Sequence, residues 1–571
     1  MSKPATTRKP ANIVYGLEDT PPMLVTVMNG LQNVGVIAIN LVYPLLVFRA
    51  LNLSIDAVAS LLSAGMLVLG VATFLQALRL GPVGSGFMCP ATFSATYLAP
   101  SLLAARSGGL ALVFGMTIFA GMLEAALAPF LNRLRAIFPP EVSGLVIFMI
   151  GLSGGIAGLR SLLGTNAAPV PPTEWIVGIL TLGTMIALNV WGKGPASMFC
   201  ALIGLVAGYI ASSVTGLIDS HVMSAVATTP WIGLPAIHLE RSFDLAMAAP
   251  FAIASLATAM KAAGTITICQ KMNDADWVRP DMKSITAGVL ADGASTVLAG
   301  VAGALGTNTS TPAVGLAAAT GVASRKVAFA VGIIFILMGF LPKLPALLGL
   351  MPRPVVVAAL LFAVSFVMIN GLQIMTSRLL DSRRTVIIAL STIAGIAVEV
   401  FPSISASAPP GLRPVVGSSL VLATVFALGL NLLFRIGVKK TATLRIEDAA
   451  PDPDKIGDFF QTQGAKWGAR PDVIKRAAYG TIQLIDAVAE GCWREGPIVV
   501  AVSFDEFNLD VRVSYNGGQL LFPDERPSLE QIRGSEDGAQ LLAGFMLRRN
   551  ADRVRSESAE GQSRVLFHYV H

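Results

Sequence analysis

Long apolar runs, each closed by a short polar break, fill the first three-quarters of the chain. A membrane-crossing helix needs about 20 mostly apolar residues. That measure predicts spans at 22–48, 56–77, 84–103, 109–131, 140–162, 173–191, 195–217, 245–268, 284–301, 303–322, 324–342, 352–376, 384–400 and 414–437. The fourteen segments fall into two groups of seven, 22–217 and 245–437, with an extracytoplasmic connection over 218–244. Residues 1–21 are polar and lack an apolar core followed by a small-residue cleavage site, so the first span is expected to insert the protein. From about Thr441 the pattern changes. Residues 438–464 become acidic and proline-containing and read as a linker, and 465–571 read as a small soluble α/β domain. That domain has a helical pattern from Pro471 to Gly491 and strands at Ile498–Phe504 and Leu509–Tyr515. A turn at Asn516-Gly517-Gly518, a helix at Ala539–Leu547 and a last strand at Ser563–Val570 follow. The fold class expected is an all-α polytopic membrane protein with a small α/β domain at its C-terminal end.

Composition strengthens this picture. Of 571 residues, 54% are hydrophobic and 13% charged, against about 25% charged in a soluble protein. The net charge of +6 is spread through short loops and the tail rather than along a basic stripe, which excludes nucleic acid as the partner. The side holding both termini collects most loop Lys and Arg, among them Lys9, Arg79, Lys193, Lys271, Lys283, Arg325 and Lys326. The opposite side has fewer, among them Arg49, Arg106, Arg160 and Arg241. The richer side is expected to be cytoplasmic, which places the chain in a bacterial inner membrane with both termini inside. Cys89, Cys200, Cys269 and Cys492 are scattered, with no metal-ligand or disulfide spacing. No nucleophile–base pair stands out, so neither an enzyme nor a cofactor or metal is expected.

The two groups of seven look related. The third segment opens Gly84-Ser-Gly-Phe-Met-Cys-Pro90-Ala-Thr-Phe-Ser-Ala-Thr96, and the tenth opens Gly306-Thr-Asn-Thr-Ser-Thr-Pro312-Ala-Val-Gly315. The prolines are 312 − 90 = 222 residues apart, and the first span shifted by 222 lands on the eighth. An odd number of spans per copy inverts the second copy. Interrupted Gly/Pro-rich segments at matching places in inverted halves point to a binding site at the membrane midplane. The competing explanation is that small residues simply let helices pack closely.

Four stretches carry a family likeness: Gly30-Leu-Gln32-Asn-Val34, Leu75-Gln76 through Gly84-Ser85-Gly86-Phe87, Ala291-Asp292-Gly293, and Pro312-Ala313-Val314-Gly315 through Thr320-Gly321 to Arg325. Over roughly 15–437 the chain resembles the nucleobase–ascorbate transporter family of the bacterial xanthine/uracil permease kind. One signature position departs, with Ala313 where that family has asparagine. The resemblance implies fourteen spans in two inverted repeats, a core and a gate domain, elevator-like motion, a homodimer and a small-molecule substrate bound between the third, eighth and tenth segments. It nominates Lys261, Phe87, Thr265, Thr311, Pro312, Ala313 and Gly315 as substrate-binding, with Asp292, Glu124 and Gln32 as structural or coupling residues. The family carries glutamate where Lys261 stands, often Asp or His at Thr265, and Gln or Glu at Pro312.

Lysine offers three donors and no acceptor, the reverse of a carboxylate. At this depth an unpaired ammonium is costly. Lys261 therefore faces an anionic ligand, pairs with Asp292 on the next span, loses its proton, or reaches an interface. Glu124 relays protons or pairs with gate-domain backbone, and Glu399 is expected at the interface. With the family glutamates absent, the sequence gives no support for proton symport. The lead expectation is a carrier of a small planar or anionic metabolite, such as a purine. The alternative is a membrane sensor that signals through the tail.

Residues 465–571 resemble the histidine-kinase-type ATPase fold in its anti-sigma-factor form. The helix from Thr481 to Val488 stands where such domains carry Glu-x-x-x-Asn, but presents Gln483 and Ala487. Tyr515 stands where they have an adenine-reading aspartate. The resemblance implies a module without ATPase chemistry that regulates, dimerises or docks an unidentified cytoplasmic protein. An unrelated α/β domain is the other reading.

Overall fold

Apolar side chains bury themselves against their own chain, and the computed structural model shows which of them do so and which stay exposed. It describes residues 9–131, 139–163, 170–218, 229–235, 240–275, 277, 280–376, 380, 382–401, 403–409, 416–434, 440–447, 452–491, 496–505, 508–523, 525–527, 538–559 and 561–570. The chain divides into two compact units, Met1–Asn431 and Leu432–His571.

The first unit is helical. It runs α1 (Met23–Ala38), α2 (Val42–Ala50), α3 (Ile55–Ala77), strand β1 (Ala91–Phe93), α4 (Leu98–Leu127), α5 (Pro140–Leu163), α6 (Pro172–Trp191) and α7 (Cys200–Val214). It continues with α8 (Ala248–Asn273), α9 (Met282–Ala302), strand β2 (Thr307–Thr309), α10 (Thr311–Thr320), α11 (Arg325–Gly339), α12 (Lys343–Gly349), α13 (Arg353–Met375), α14 (Ser382–Val400) and α15 (Ser419–Phe434). Among the described residues, eight helices are long and apolar enough to cross a membrane, or nine if α11 and α12, bent by 78° to each other, form one span. This is fewer than the fourteen full spans expected. The shortfall has local causes. The expected segment 84–103 is not a span-length helix, because its opening carries Pro90 and small polar residues and runs as turn and strand before helix begins at Ala95. That helix then continues to Phe130, merging the expected third and fourth segments across a kink at Gly108 and Gly109. The expected segment 303–322 is likewise a strand followed by a helix of only ten residues. On the outer side, α6 exposes Ile176, Ile179, Val190 and Trp191, the apolar face that lipid covers.

Helices in this unit meet through glycines at backbone contact. A Cβ on Gly121 of α4 would lie 2.5 Å from Val297 N of α9, and one on Gly293 of α9 would lie 2.7 Å from Ala125 N of α4. The same device joins α3 to α11, where a Cβ on Gly70 would come 2.7 Å from Gly332 O. Close approach of this kind, rather than an apolar driving force, holds helices together where the solvent is as apolar as leucine.

The polar stretch ahead of α1 is tied to the end of α10. Val14 N donates to Gly321 O at 2.8 Å, Ala323 N to Tyr15 O at 2.8 Å and Arg325 N to Leu17 O at 3.0 Å. The Gly16 N–H and then the Lys9 ammonium hold the Asp19 carboxyl below its ordinary range.

The second unit is one antiparallel sheet with helices packed on it. Strands β3 (Lys440–Ile446), β4 (Ile498–Phe504), β5 (Asn508–Asn516), β6 (Arg553–Ala559) and β7 (Gln562–Val570) lie in the order β3-β4-β5-β7-β6. Helices α16 (Pro453–Trp467), α17 (Pro471–Gly491) and α18 (Gly538–Asn550) complete it. Strict alternation along β4 turns Val500 and Val502 inward, where they join Phe460, Leu484, Val511 and Phe567 in one core. Of the stretch 438–464 expected as a linker, residues 440–446 and 453–464 belong to elements of this unit. Residues 440–446 pair with all of β4 as an edge strand, and the Pro453 helix is capped by Asp452 and buries Ile456 and Phe460. Its acidic and proline residues serve a capped helix start, which composition alone does not separate from a linker.

Candidate functional site: the crossing of two short strands and three helices

Two interrupted segments distant in sequence meet in the first unit. Strands β1 and β2 pair antiparallel, with Ala91 opposite Thr309, Thr92 opposite Asn308 and Phe93 opposite Thr307. The pairing is extended at both ends by Ser94 N to Gly306 O at 3.1 Å and Ser310 N to Pro90 O at 2.8 Å. Each strand leads into a helix N-terminus, α4 after β1 and α10 after β2. Ser310 caps α10 by accepting from Ala313 N, and Pro312 sits in the first turn, where its missing N–H costs nothing. Strand backbone can lie at this depth because protein covers it: all six strand residues are buried.

Helix α8 runs beside the crossing and is fastened to it by hydroxyls and one amide. Thr258 Oγ1 lies 2.8 Å from Thr96 Oγ1, and Asn308 Nδ2 donates to Thr258 O at 3.0 Å. One turn and more along, Thr265 Oγ1 lies 2.8 Å from Thr311 Oγ1 and donates to Lys261 O at 3.0 Å. Asn40 Nδ2, near the α1–α2 junction, donates to Thr92 Oγ1 at 2.7 Å. Phe87 is buried in an apolar cluster with Ala259, Ala262 and Val314. Pro312 is exposed, and a Cβ on Gly315 would meet nothing within 4 Å, so this face of α10 opens onto free space.

Lys261 is half-buried on α8, within electrostatic reach of Asp292 and Cys89, and makes no ion pair among the described residues. Asp292 and Glu124 are both buried where α4 and α9 touch at Gly121 and Gly293. Tyr97 Oη donates to Glu124 Oε2 at 3.4 Å. Glu124 thus meets a phenol rather than gate-domain backbone. Gln32 lies apart on α1, its Oε1 buried with no hydrogen-bond partner. Glu399 forms an ion pair with Arg160 at 2.8 Å and accepts from Ser419 Oγ at 2.8 Å.

The model of the Permease family (Xan_ur_permease) matches residues 24–404, the stretch that builds this crossing. The chain belongs to this family. It is 27% identical over 449 residues to the xanthine permease XanP of Escherichia coli (strain K12), covering 76% of this chain and 97% of that protein. It is 28% identical over 413 residues to the uric acid permease PucJ of Bacillus subtilis (strain 168), covering 70% of this chain and 90% of that protein. Among solved structures, the transmembrane domain of the cyanobacterial bicarbonate transporter BicA matches at a TM-score of 0.46 and 13% identity, over 71% of this chain and 96% of that one. The relatives are permeases, and this chain is a permease rather than an enzyme.

In this permease the structure brings Lys261, Thr265, Thr311, Pro312, Ala313 and Gly315 to the α8–α10 side of the strand crossing. It sets the Glu124–Asp292 pair at the α4–α9 contact. Sequence reasoning missed Thr258, Asn308 and Tyr97, each fully buried and hydrogen-bonded at the crossing. Thr258 gave a signal in hindsight: it lies one turn before Lys261 and shares a helix face with it and Thr265.

Proposed function

We propose that this permease is a secondary transporter of a small planar or anionic metabolite of the purine class, bound between the strand crossing and α8. The observation that carries the reading is the antiparallel β1–β2 pair, from whose opposite ends α4 and α10 begin, with Thr96 and Thr311 bonded to Thr258 and Thr265 on either side of Lys261 along α8. Helix N-termini carry free N–H groups and positive partial charge, and Lys261 adds a full one, so the site favours an anion. Relatives named for xanthine and uric acid supply the substrate class.

In this reading the chain has fourteen spans as two inverted repeats, with half-helices α4 and α10 at matching places. It works by elevator-like movement of the site-bearing helices, as a homodimer with both termini cytoplasmic. The 222-residue offset of the two prolines and the paired strands support the repeat. The second unit serves regulation or protein docking. Gln483 Nε2 there donates to Tyr479 Oη at 2.7 Å, and Tyr515 is buried with its hydroxyl donating to Gly518 O at 3.0 Å.

The test is uptake of labelled xanthine and urate by proteoliposomes holding the full chain. Saturable uptake that falls at least tenfold in Lys261→Ala supports the reading. Robust neutral-base uptake untouched by Lys261→Ala overturns the charged site, and uptake of neither purine overturns the substrate class.

A further inference from the structure

The second unit packs its helices on one face of the sheet and leaves the other face uncovered among the described residues. Phe460, Leu484 and Leu547, from α16, α17 and α18, share a core with Val500, Val511 and Phe567. Successive strand residues point to opposite faces. Ala501, Arg512, Leu566 and Arg555 therefore stand side by side on the far face, across β4, β5, β7 and β6. The neighbouring rows are Ser514, Arg564 and Glu557 on one side, and Asp510, His568 and Arg553 on the other. Arg512, Arg553, Arg555 and Arg564 are all exposed.

A solvated sheet face is ordinarily polar. This one is also unbalanced. With Arg445 on β3 it carries five arginines against two carboxylates, Asp510 and Glu557. Residues 432–571 as a whole hold 18 Lys and Arg against 20 Asp and Glu, a net of 18 − 20 = −2. Positive charge is thus gathered on this face and is not a property of the whole unit. Asp510 is taken up by His568 at 2.7 Å, and Arg445 by Glu447 at 3.2 Å. The other four arginines have no ion-pair or hydrogen-bond partner among the described residues.

The charge selects the occupant. A second copy laid on this face would set arginine against arginine. Guanidinium groups match phosphate oxygens two at a time, and Arg512 and Arg555, two strands apart with Leu566 between them, are spaced by about 10 Å. The chain itself brings phosphates near. Strand β3 starts six residues after α15 ends at Phe434, a stretch that reaches at most about 20 Å. That stretch adds Arg435 and Lys439. Basic clusters directly beside a membrane span are drawn to anionic lipid.

We propose that the uncovered sheet face of the second unit docks on anionic lipid headgroups of the leaflet at which α15 ends, with Arg512, Arg553, Arg555 and Arg564 as the contact residues. The proposal rests on the reading of α15 as the last span, and not on the substrate.

The test is collisional quenching in nanodiscs holding the full chain and a lipid with a quencher on its headgroup. A fluorophore is placed on the face by Thr443→Cys, or on the helix side by Tyr479→Cys, in a Cys492→Ser background, since Cys89, Cys200 and Cys269 are buried. The discs contain phosphatidylcholine alone or an equal mixture with phosphatidylglycerol. Quenching at position 443 should be roughly threefold stronger in the anionic discs, and at about 1 M salt, where the screening length is about 3 Å, it should fall to the phosphatidylcholine level. Combined Arg512→Gln, Arg555→Gln and Arg564→Gln should lower it in the same way, and position 479 should show no dependence on lipid charge. The lipid and salt comparisons use no arginine variant, so they decide even if the triple variant does not fold. Equal quenching in the two lipids overturns the proposal. Stronger quenching at 479 than at 443 overturns it by naming the wrong face. No quenching in either lipid overturns it too, and leaves a soluble acidic protein as the partner that fits the face. Failure to transport purines leaves a positive result standing and counts against the substrate reading alone.

Discussion

Two of the helix pairs in the first unit that meet through glycines invite comparison. Helices α3 and α11 meet through Gly70 and Gly332, and helices α4 and α9 meet through Gly121 and Gly293. Both contacts bring backbones together with no room for a methyl group. What lies beside them differs. Next to Gly70 stands Thr73, whose hydroxyl is spent on Leu69 O at 2.7 Å and on Ala91 N at 3.1 Å. Beside Gly121 and Gly293 stand Glu124 and Asp292, two ionisable groups with oxygens left over. Helix packing therefore needs no acid, since the α3–α11 contact manages with a hydroxyl. Carboxyls at this depth are expensive, and they stand at the α4–α9 contact and not at the α3–α11 contact.

The largest effect is expected where the two contacts are alike. Leucine in place of Gly121 or Gly70 would start from a Cβ 2.5 Å from Val297 N or from Ile336 Cγ1. Overpacking commonly costs about 1–3 kcal/mol and more where backbone blocks relaxation. Both variants should lose the single folded species on size-exclusion chromatography in detergent. If Gly70→Leu survives and Gly121→Leu does not, the contacts are not equivalent and the comparison breaks.

The next effect separates them. Asp292→Asn should keep the fold and abolish purine uptake. Thr73→Val should keep uptake and lower stability by roughly 0.6 kcal/mol, the average for a hydrogen bond inside a membrane protein. Paired uptake and thermal-melting measurements read both. Equal loss of uptake in the two variants would return the acids to a structural role. A smaller effect is expected at the neighbouring cap. Ser310→Ala removes the acceptor for Ala313 N and should cost about 1 kcal/mol of helix stability, seen as a lower melting temperature with purine affinity weakened only modestly.

Sequence alone located the segments but not their forms. Apolar run length placed an expected span on most of the helices, because lipid-covered helices must be apolar over about 20 residues. It read 84–103 and 303–322 as continuous helices, where composition still permits a helix and only the long-range pairing of Thr92 with Asn308 decides for strand. The early prolines Pro90 and Pro312 were legible as interruptions, since proline lacks a donor wherever it stands. Lys261 was legible as an anomaly for the same kind of reason, being a charge in an apolar run. The Glu124–Asp292 pair was not legible. Its members lie far apart in sequence, and nothing in either helix names the other as neighbour. Within 438–464 the edge strand at 440–446 and the helix start capped by Asp452 share the polar composition of a connector, so composition does not tell them from a linker.

The smallest effect is expected at Tyr97. Its hydroxyl lies 3.4 Å from Glu124 Oε2, longer than the 2.5–3.0 Å usual for such bonds. Its ring is fully buried and packs where a Cβ on Gly306 would come 2.3 Å from it, so the ring fixes the start of the β2 segment. Tyr97→Phe keeps that ring and deletes only the hydroxyl. Stability should therefore change by less than about 1 kcal/mol, and folding and yield should match the native protein. Purine uptake should match the native protein. Loss of uptake in Tyr97→Phe with the fold intact would mean that the bond from the phenol to Glu124 is needed at the α4–α9 contact. The difference of that contact from α3–α11 would then rest on a single hydrogen bond.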